Sequence, residues 1–246
     1  MVKLERILYF LEEAFGSLSF PDYPNALNGL QVEGRADVEF LGAAVDASEE
    51  TIAAAVDRGI HFLLVHHGLF WGGLGPITGG RFRKVEALIR GRMALYSLHL
   101  PLDAHPELGN NALLLEELGL GKAGRFGCFE DVEVGWWGEV EVARETLLGR
   151  LRKAVNGEAR LIPGGSETVR RVGVLTGAGA SALSEAAALG LDTLITGEAP
   201  HHAYHEAMEL GVNLLLGGHY ATETFGVKAL AGSLSQEFQL PWEFLD

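Results

Sequence analysis

Thiols are almost missing from this chain: among 246 residues there is one cysteine, Cys128. A single thiol closes no internal disulfide and builds no thiolate metal site, so any metal must be held by imidazoles and carboxylates. Positive charge is scarce as well. There are 19 Lys and Arg against 33 Asp and Glu, a net charge of −14, which argues against an electrostatic grip on nucleic acid. The one local exception is Arg81-Phe82-Arg83-Lys84, either a solvated helix start or a phosphate-facing patch. Long apolar runs are also lacking. The longest are strand-length, far below the ~18 to 20 residues of a membrane span, so no membrane role is expected. At the N-terminus, Leu4, Ile7, Leu8, Leu11 and Phe15 are spaced as on a helix among Glu5, Glu12 and Glu13, without the unbroken apolar core of a signal peptide. The expectation is a cytoplasmic protein.

Apolar content is ample, at 48%, and excludes disorder. It is concentrated in strand-like runs, of which Phe62-Leu63-Leu64-Val65-His66-His67-Gly68 organises the rest. Strand ends in α/β sheets are where metals and small molecules bind, and this one ends in two imidazoles. Neighbouring strand residues point to opposite faces, so both rings can serve one site only if the strand breaks there, which Gly68 would permit. The alternative is a pair of ordinary polar loop residues. Upstream, the strand Phe40 to Asp46 and a helix from Ser48 to about Arg58, with Ser48 as N-cap and Gly59 as terminator, complete a βαβ unit and predict a parallel sheet. Asn28-Gly29 reads as a turn, with Asn28 in a left-handed conformation. Downstream, Gly68 to Gly80 is glycine-dense around Phe70-Trp71 and reads as a binding loop. The strand Met93 to Leu98 then leads to His99, Asp103 and His105.

Glycines and a charged turn over Gly119 to Gly127 predict a boundary, giving domains at 1–125 and 126–246. Beyond it, alternation from Asp131 to Val142 around Trp136-Trp137 predicts a strand or hairpin. Then the first half returns. Val172 to Gly177 matches Leu41 to Asp46, and Gly190 to Glu198 matches Gly59 to His67 at the same offset. Gly211 to His219 matches Gly91 to His99 after a shorter loop. The fold class is therefore α/β, built from two related repeats. The repeat places His219 on His99 and Glu223 on Asp103, so each copy ends a strand in His-x-x-x-acid, with both groups on one side of a helical turn. His66, His67, Asp103, His219 and Glu223 together offer imidazoles and carboxylates suited to two divalent ions, Zn, Mn or Fe. Glu198, standing where His67 stands in the first copy, should support that site as a charged neighbour.

These residues resemble the NIF-three-like family of dinuclear metal proteins, the GTP cyclohydrolase I type 2 homologues. The resemblance covers essentially the whole chain. It is carried by Asn28-Gly29-Leu30-Gln31-Val32, His66-His67-Gly68 with Phe70-Trp71, His99 through Asp103 to His105, Thr196-Gly197-Glu198, and most specifically Gly217-Gly218-His219-Tyr220-Ala221-Thr222-Glu223. It implies two intertwined α/β domains, each with a mixed or mostly parallel sheet flanked by helices, assembled as a homohexamer. The same five residues would be the metal ligands. It also implies a hydrolase in which metal-activated water opens the imidazole ring of GTP at C8 and formate leaves, with His99 or His105 moving protons. A metal-dependent hydrolase acting on another nucleotide or a phosphoester is the alternative, as is a non-enzymatic metal-binding scaffold.

Overall fold

The computed structural model describes residues 1–73 and 75–246; Leu74, in the glycine-dense loop, lies outside them. Two compact units form, Met1–Leu102 with Gly226–Asp246, and Asp103–Phe225. They differ from the halves 1–125 and 126–246 expected of the sequence because the end of the chain returns to the beginning. The terminal strand Trp242–Phe244 lies parallel to Leu41–Asp46, so the first unit is built from two separate stretches of the chain.

In the first unit a five-stranded sheet runs in the order Trp242–Phe244, Leu41–Asp46, Phe62–His67, Ala94–Ser97, Gly29–Val32. The first four strands are parallel and the last is an antiparallel edge. Parallel strands are covered on both faces, which is why these read as unbroken apolar runs rather than alternating ones. Helix Glu49–Asp57 starts where expected, with the Ser48 hydroxyl accepting from the Thr51 amide. Helix Leu4–Phe15 buries Leu4, Ile7, Leu11 and Phe15, the stripe its spacing predicts. The cations of Arg81, Arg83 and Lys84 are used locally. Arg83 forks onto Glu49, Arg81 donates to the Gly73 carbonyl and Lys84 to the Ala47 carbonyl, so the phosphate-patch reading is not needed.

In the second unit the strands run Gly121–Phe129, Val132–Ala143, Thr168–Val174, Thr193–Thr196, Asn213–Leu216, Arg160–Pro163. The Thr168–Val174, Thr193–Thr196 and Asn213–Leu216 strands are parallel. Successive residues Leu194 and Ile195 fall into separate core clusters, as do Leu214 and Leu215, so this sheet is also covered on both faces. The predicted boundary over Gly119 to Gly127 is instead largely a strand, Gly121–Phe129, paired antiparallel with Val132–Ala143. Gly124 admits a bulky neighbour: a Cβ there would stand 2.5 Å from Trp137 Nε1. The Trp136 and Trp137 rings are themselves covered by guanidinium groups, Arg125 at 4.3 Å and Arg171 at 4.4 Å from the ring centres.

The repeat is visible in the ladders. Leu41 pairs with Phe62 and Val172 with Thr193, in the same register. The third strand departs by one residue from the spacing read in the sequence. Phe62 stands opposite Ala94 and Thr193 opposite Asn213, so Ala94 corresponds to Asn213 rather than Leu214. The second copy takes up the extra residue in the turn ahead of His219, where Gly218 adopts φ +89°. No helix among the described residues is long and apolar enough to cross a membrane.

Candidate metal centre

In the first unit His66 and His67 close the Phe62–His67 strand, and His99 follows the neighbouring Ala94–Ser97 strand. The strand does not break before His67, whose carbonyl still accepts from the Ala47 amide at 3.0 Å. The rings converge nonetheless, with centroids 4.8 Å apart for His66–His67, 4.8 Å for His66–His99 and 5.6 Å for His67–His99. One ring nitrogen from each lies within 4.8 Å of the others. Trp71 stands edge-on to His99 at 4.7 Å and to His67 at 5.7 Å, forming an aromatic wall.

Each ring is held through Nδ1. His66 Nδ1 donates to the Leu98 carbonyl at 2.9 Å, His67 Nδ1 to Asp46 at 2.9 Å and His99 Nδ1 to Asp22 at 2.8 Å. A neutral imidazole has one N–H, so fixing it on Nδ1 puts the lone pair on Nε2, the nitrogen that could serve as a ligand atom. Gly68 does not supply a left-handed turn; it makes room, because a Cβ there would fall inside the Gln31 amide. That amide bridges the Ala26 and Leu27 carbonyls to the Leu69 amide and fixes the chain after the histidines.

In the second unit His219 opens the turn His219–Thr222. Its Nδ1 bonds Glu198 at 2.9 Å and its Nε2 lies 3.2 Å from the nearly buried Glu223 carboxylate, the i,i+4 pairing that the spacing predicts. Glu223 on Nε2, with Glu198 adding to it and burial opposing, pushes the imidazole up to about 9. A proton and a metal cation would therefore compete for the same nitrogen. A Cβ on Gly177 would collide with the Glu223 carboxylate, and Gly177 also has φ +64°, so glycine there admits the acid. Asp103 is buried and its Oδ1 accepts from Asn110 Nδ2 at 2.8 Å.

His105 has another setting. Its Nδ1 accepts from the Glu107 and Leu108 amides, and burial pushes its pKa down. It is not among the three clustered imidazoles of the first unit. Asn28 is not left-handed; Leu27 and Gly29 take the positive φ values of 46° and 104°. Its side chain bridges Asp22 and the His99 amide instead. The sequence reading missed Asp22 and Asp46. Asp46 could have been found from register, since two parallel strands that end together bring their last residues side by side.

A donor set of tethered imidazoles and buried carboxylates fits divalent transition ions. The family model Duf34/NIF3 (NGG1p interacting factor 3) matches residues 2–246. The chain belongs to the DUF34/NIF3 family. Among its relatives, the "GTP cyclohydrolase 1 type 2 homolog" of Deinococcus radiodurans is 45% identical over 228 residues, covering 91% of this chain and 86% of the relative. The protein of the same name from Archaeoglobus fulgidus is 41% identical over 245 residues, covering 100% and 98%. The crystal structure of TTHA1606 from Thermus thermophilus matches with a TM-score of 0.90 at 39% identity, covering 100% of this chain and 98% of that one.

Proposed function

We propose that this DUF34/NIF3 protein is a cytoplasmic, dinuclear metal-dependent hydrolase that opens the imidazole ring of a purine nucleotide, with GTP as the first candidate. The observation that carries it is the common tethering of His66, His67 and His219 through Nδ1, which would turn their Nε2 atoms toward metal. His66, His67, Asp103, His219 and Glu223 would hold the ions, Zn, Mn or Fe; five such donors exceed what one tetrahedral ion with an open position accepts. When bound, the ions supply Lewis-acid activation of water near neutral pH. Asn110 orients the Asp103 carboxylate. His99, fixed by Asp22, would take or return a proton at Nε2, and His105, with Nδ1 occupied by amides, can act only through Nε2. Trp71 limits water around His99.

The test combines elemental analysis with turnover. Purified or reloaded protein should carry about two divalent ions per chain and release formate from GTP or another purine nucleotide, with His66→Ala and Glu223→Gln losing both properties. Full metal occupancy with no turnover across a nucleotide and phosphoester panel would leave a scaffold and overturn the enzyme. A homohexamer is proposed for its assembly; light scattering that gives a monomer at all concentrations would refute it.

A further inference from the structure

The second unit carries a pocket of about 360 Å³ on the sheet face formed by the Asn213–Leu216 and Arg160–Pro163 strands. Arg160 stands opposite Leu216 in the antiparallel ladder, and Ile162, two residues on, shares its face. Those three residues form the floor, while His201, Tyr204 and His205 at the start of helix Ala203–Leu210 form the wall. The lining has a consistent chemistry. It offers a guanidinium, two imidazoles and a phenol hydroxyl, and contains no carboxylate, although the chain as a whole carries −14. The Arg160 guanidinium has no ion-pair or hydrogen-bond partner among the described residues. The rings of His201 and His205 lie 5.9 Å apart and nearly perpendicular, with Tyr204 5.3 Å from His205.

Position gives the pocket its meaning. Its remaining wall is Ala199-Pro200, directly after Glu198, and Leu216 lies three positions before His219. The carboxyl ends of the parallel strands Thr193–Thr196 and Asn213–Leu216 thus lead both into this pocket and to the Glu198–His219 pair. In α/β sheets that edge is where nucleotides lie. A guanidinium fork matches two phosphate oxygens, and imidazole N–H groups suit a third.

We propose that this pocket binds the phosphate chain of a nucleoside triphosphate, with Arg160 as principal ligand and His201 and His205 as supporting donors. The inference rests on the nucleotide-directed reading of the metal centre and specifies which part of the substrate is gripped away from it. Tripolyphosphate, GTP and guanosine should be titrated calorimetrically into full-length protein stripped with chelator. Tripolyphosphate and GTP should bind, and guanosine at least about ten-fold more weakly, because a charge-assisted bond contributes roughly that much or more. Arg160→Gln should weaken tripolyphosphate by about ten- to a hundred-fold and His205→Gln by less. Both residues are exposed, so circular dichroism should show both variants folded. Undiminished tripolyphosphate affinity in Arg160→Gln, absence of anion binding, or uptake of Zn by His201 and His205 with no anion affinity would overturn the proposal. Failure of the two readings is separable. Anion binding through Arg160 without turnover removes the hydrolase and keeps the pocket, whereas turnover with KM unchanged in Arg160→Gln removes the pocket and keeps the hydrolase.

Discussion

Asp22 holds His99 from a loop far away in sequence: one carboxylate oxygen takes the imidazole Nδ1 at 2.8 Å, and the other takes the Asn28 amide and the Leu100 backbone N–H. Every partner is a donor, so an amide at this position would point hydrogens at hydrogens. Asp22→Asn should therefore free His99 to exchange tautomers. Measured as turnover of the metal-loaded protein, the variant should lose about 100-fold or more, the usual contribution of a positioned acid–base group. Nitrogen NMR of the ion-free protein should show the proton on His99 no longer confined to Nδ1. Unchanged turnover with an unchanged tautomer would show that the carboxylate only braces the loop.

Glu198 and Glu223 grip opposite nitrogens of His219 and differ in burial, their side chains being 61% and 3% exposed. On the proposed metal site, a buried carboxylate facing Nε2 would serve as a ligand, and an exposed one on Nδ1 as an orienting group. Glu223→Gln should abolish tight binding of one ion, while Glu198→Gln should weaken it about ten-fold. The chelated protein offers an independent check. His219 is raised from 6.5 to about 9, so its ion-pair stabilisation is complete below the unfolded value and disappears as pH rises through about 9. The thermal midpoint of the chelated wild type should fall over that interval more than that of Glu223→Gln. Parallel curves would remove Glu223 as the cause.

Strand and helix positions were legible because parallel strands are continuous apolar runs and Ser48, Gly59 and the Leu4 stripe are local signals. His219 and Glu223 were legible for a related reason: one helical turn joins them. The tether of His99 was not, since Asp22 lies 77 positions away in a stretch whose prolines advertise only a loop. The strand Gly121–Phe129 was not legible because glycine serves two purposes. In Gly121–Phe129 it makes space for Trp137 inside a hairpin, which composition cannot distinguish from a linker. The return of Trp242–Phe244 to the first sheet was hidden as well, because a short strand's partner is set by the path of the helix before it.

His61 offers a second pH test, away from the clustered histidines. Burial and the neighbouring Arg35 guanidinium push its pKa below 6.5. Its ring contacts are donors, the Glu39 amide at Nδ1 and Arg35 Nη1 at Nε2. The neutral ring can accept one of them and the protonated ring neither. As pH falls below 6.5 the unfolded chain takes up the proton first, so the contribution of His61 is intact above that value and declines through the lower folded value. His61→Gln should be less stable than wild type at neutral pH, and the gap in thermal midpoint should narrow as the solution is acidified. A constant gap would mean that the residue acts by packing alone.

Gly68 and Gln31 provide the last test, which concerns how the sequence holds the histidine pair in place. The Gln31 amide is pinned by bonds of 3.0, 3.0 and 2.7 Å to Ala26, Leu27 and Leu69, so it cannot swing away from a methyl group on residue 68. Gly68→Ala should then cost about 1–3 kcal/mol, the usual range for overpacking. Gln31→Ala should cost a similar amount by leaving the Leu69 amide and two carbonyls without this partner. Once the amide is gone the methyl group has room, so the double variant should be less destabilised than the sum of the two, a coupling readable from denaturant midpoints. Strict additivity would mean that Gly68 is required for its backbone rather than for the space it leaves.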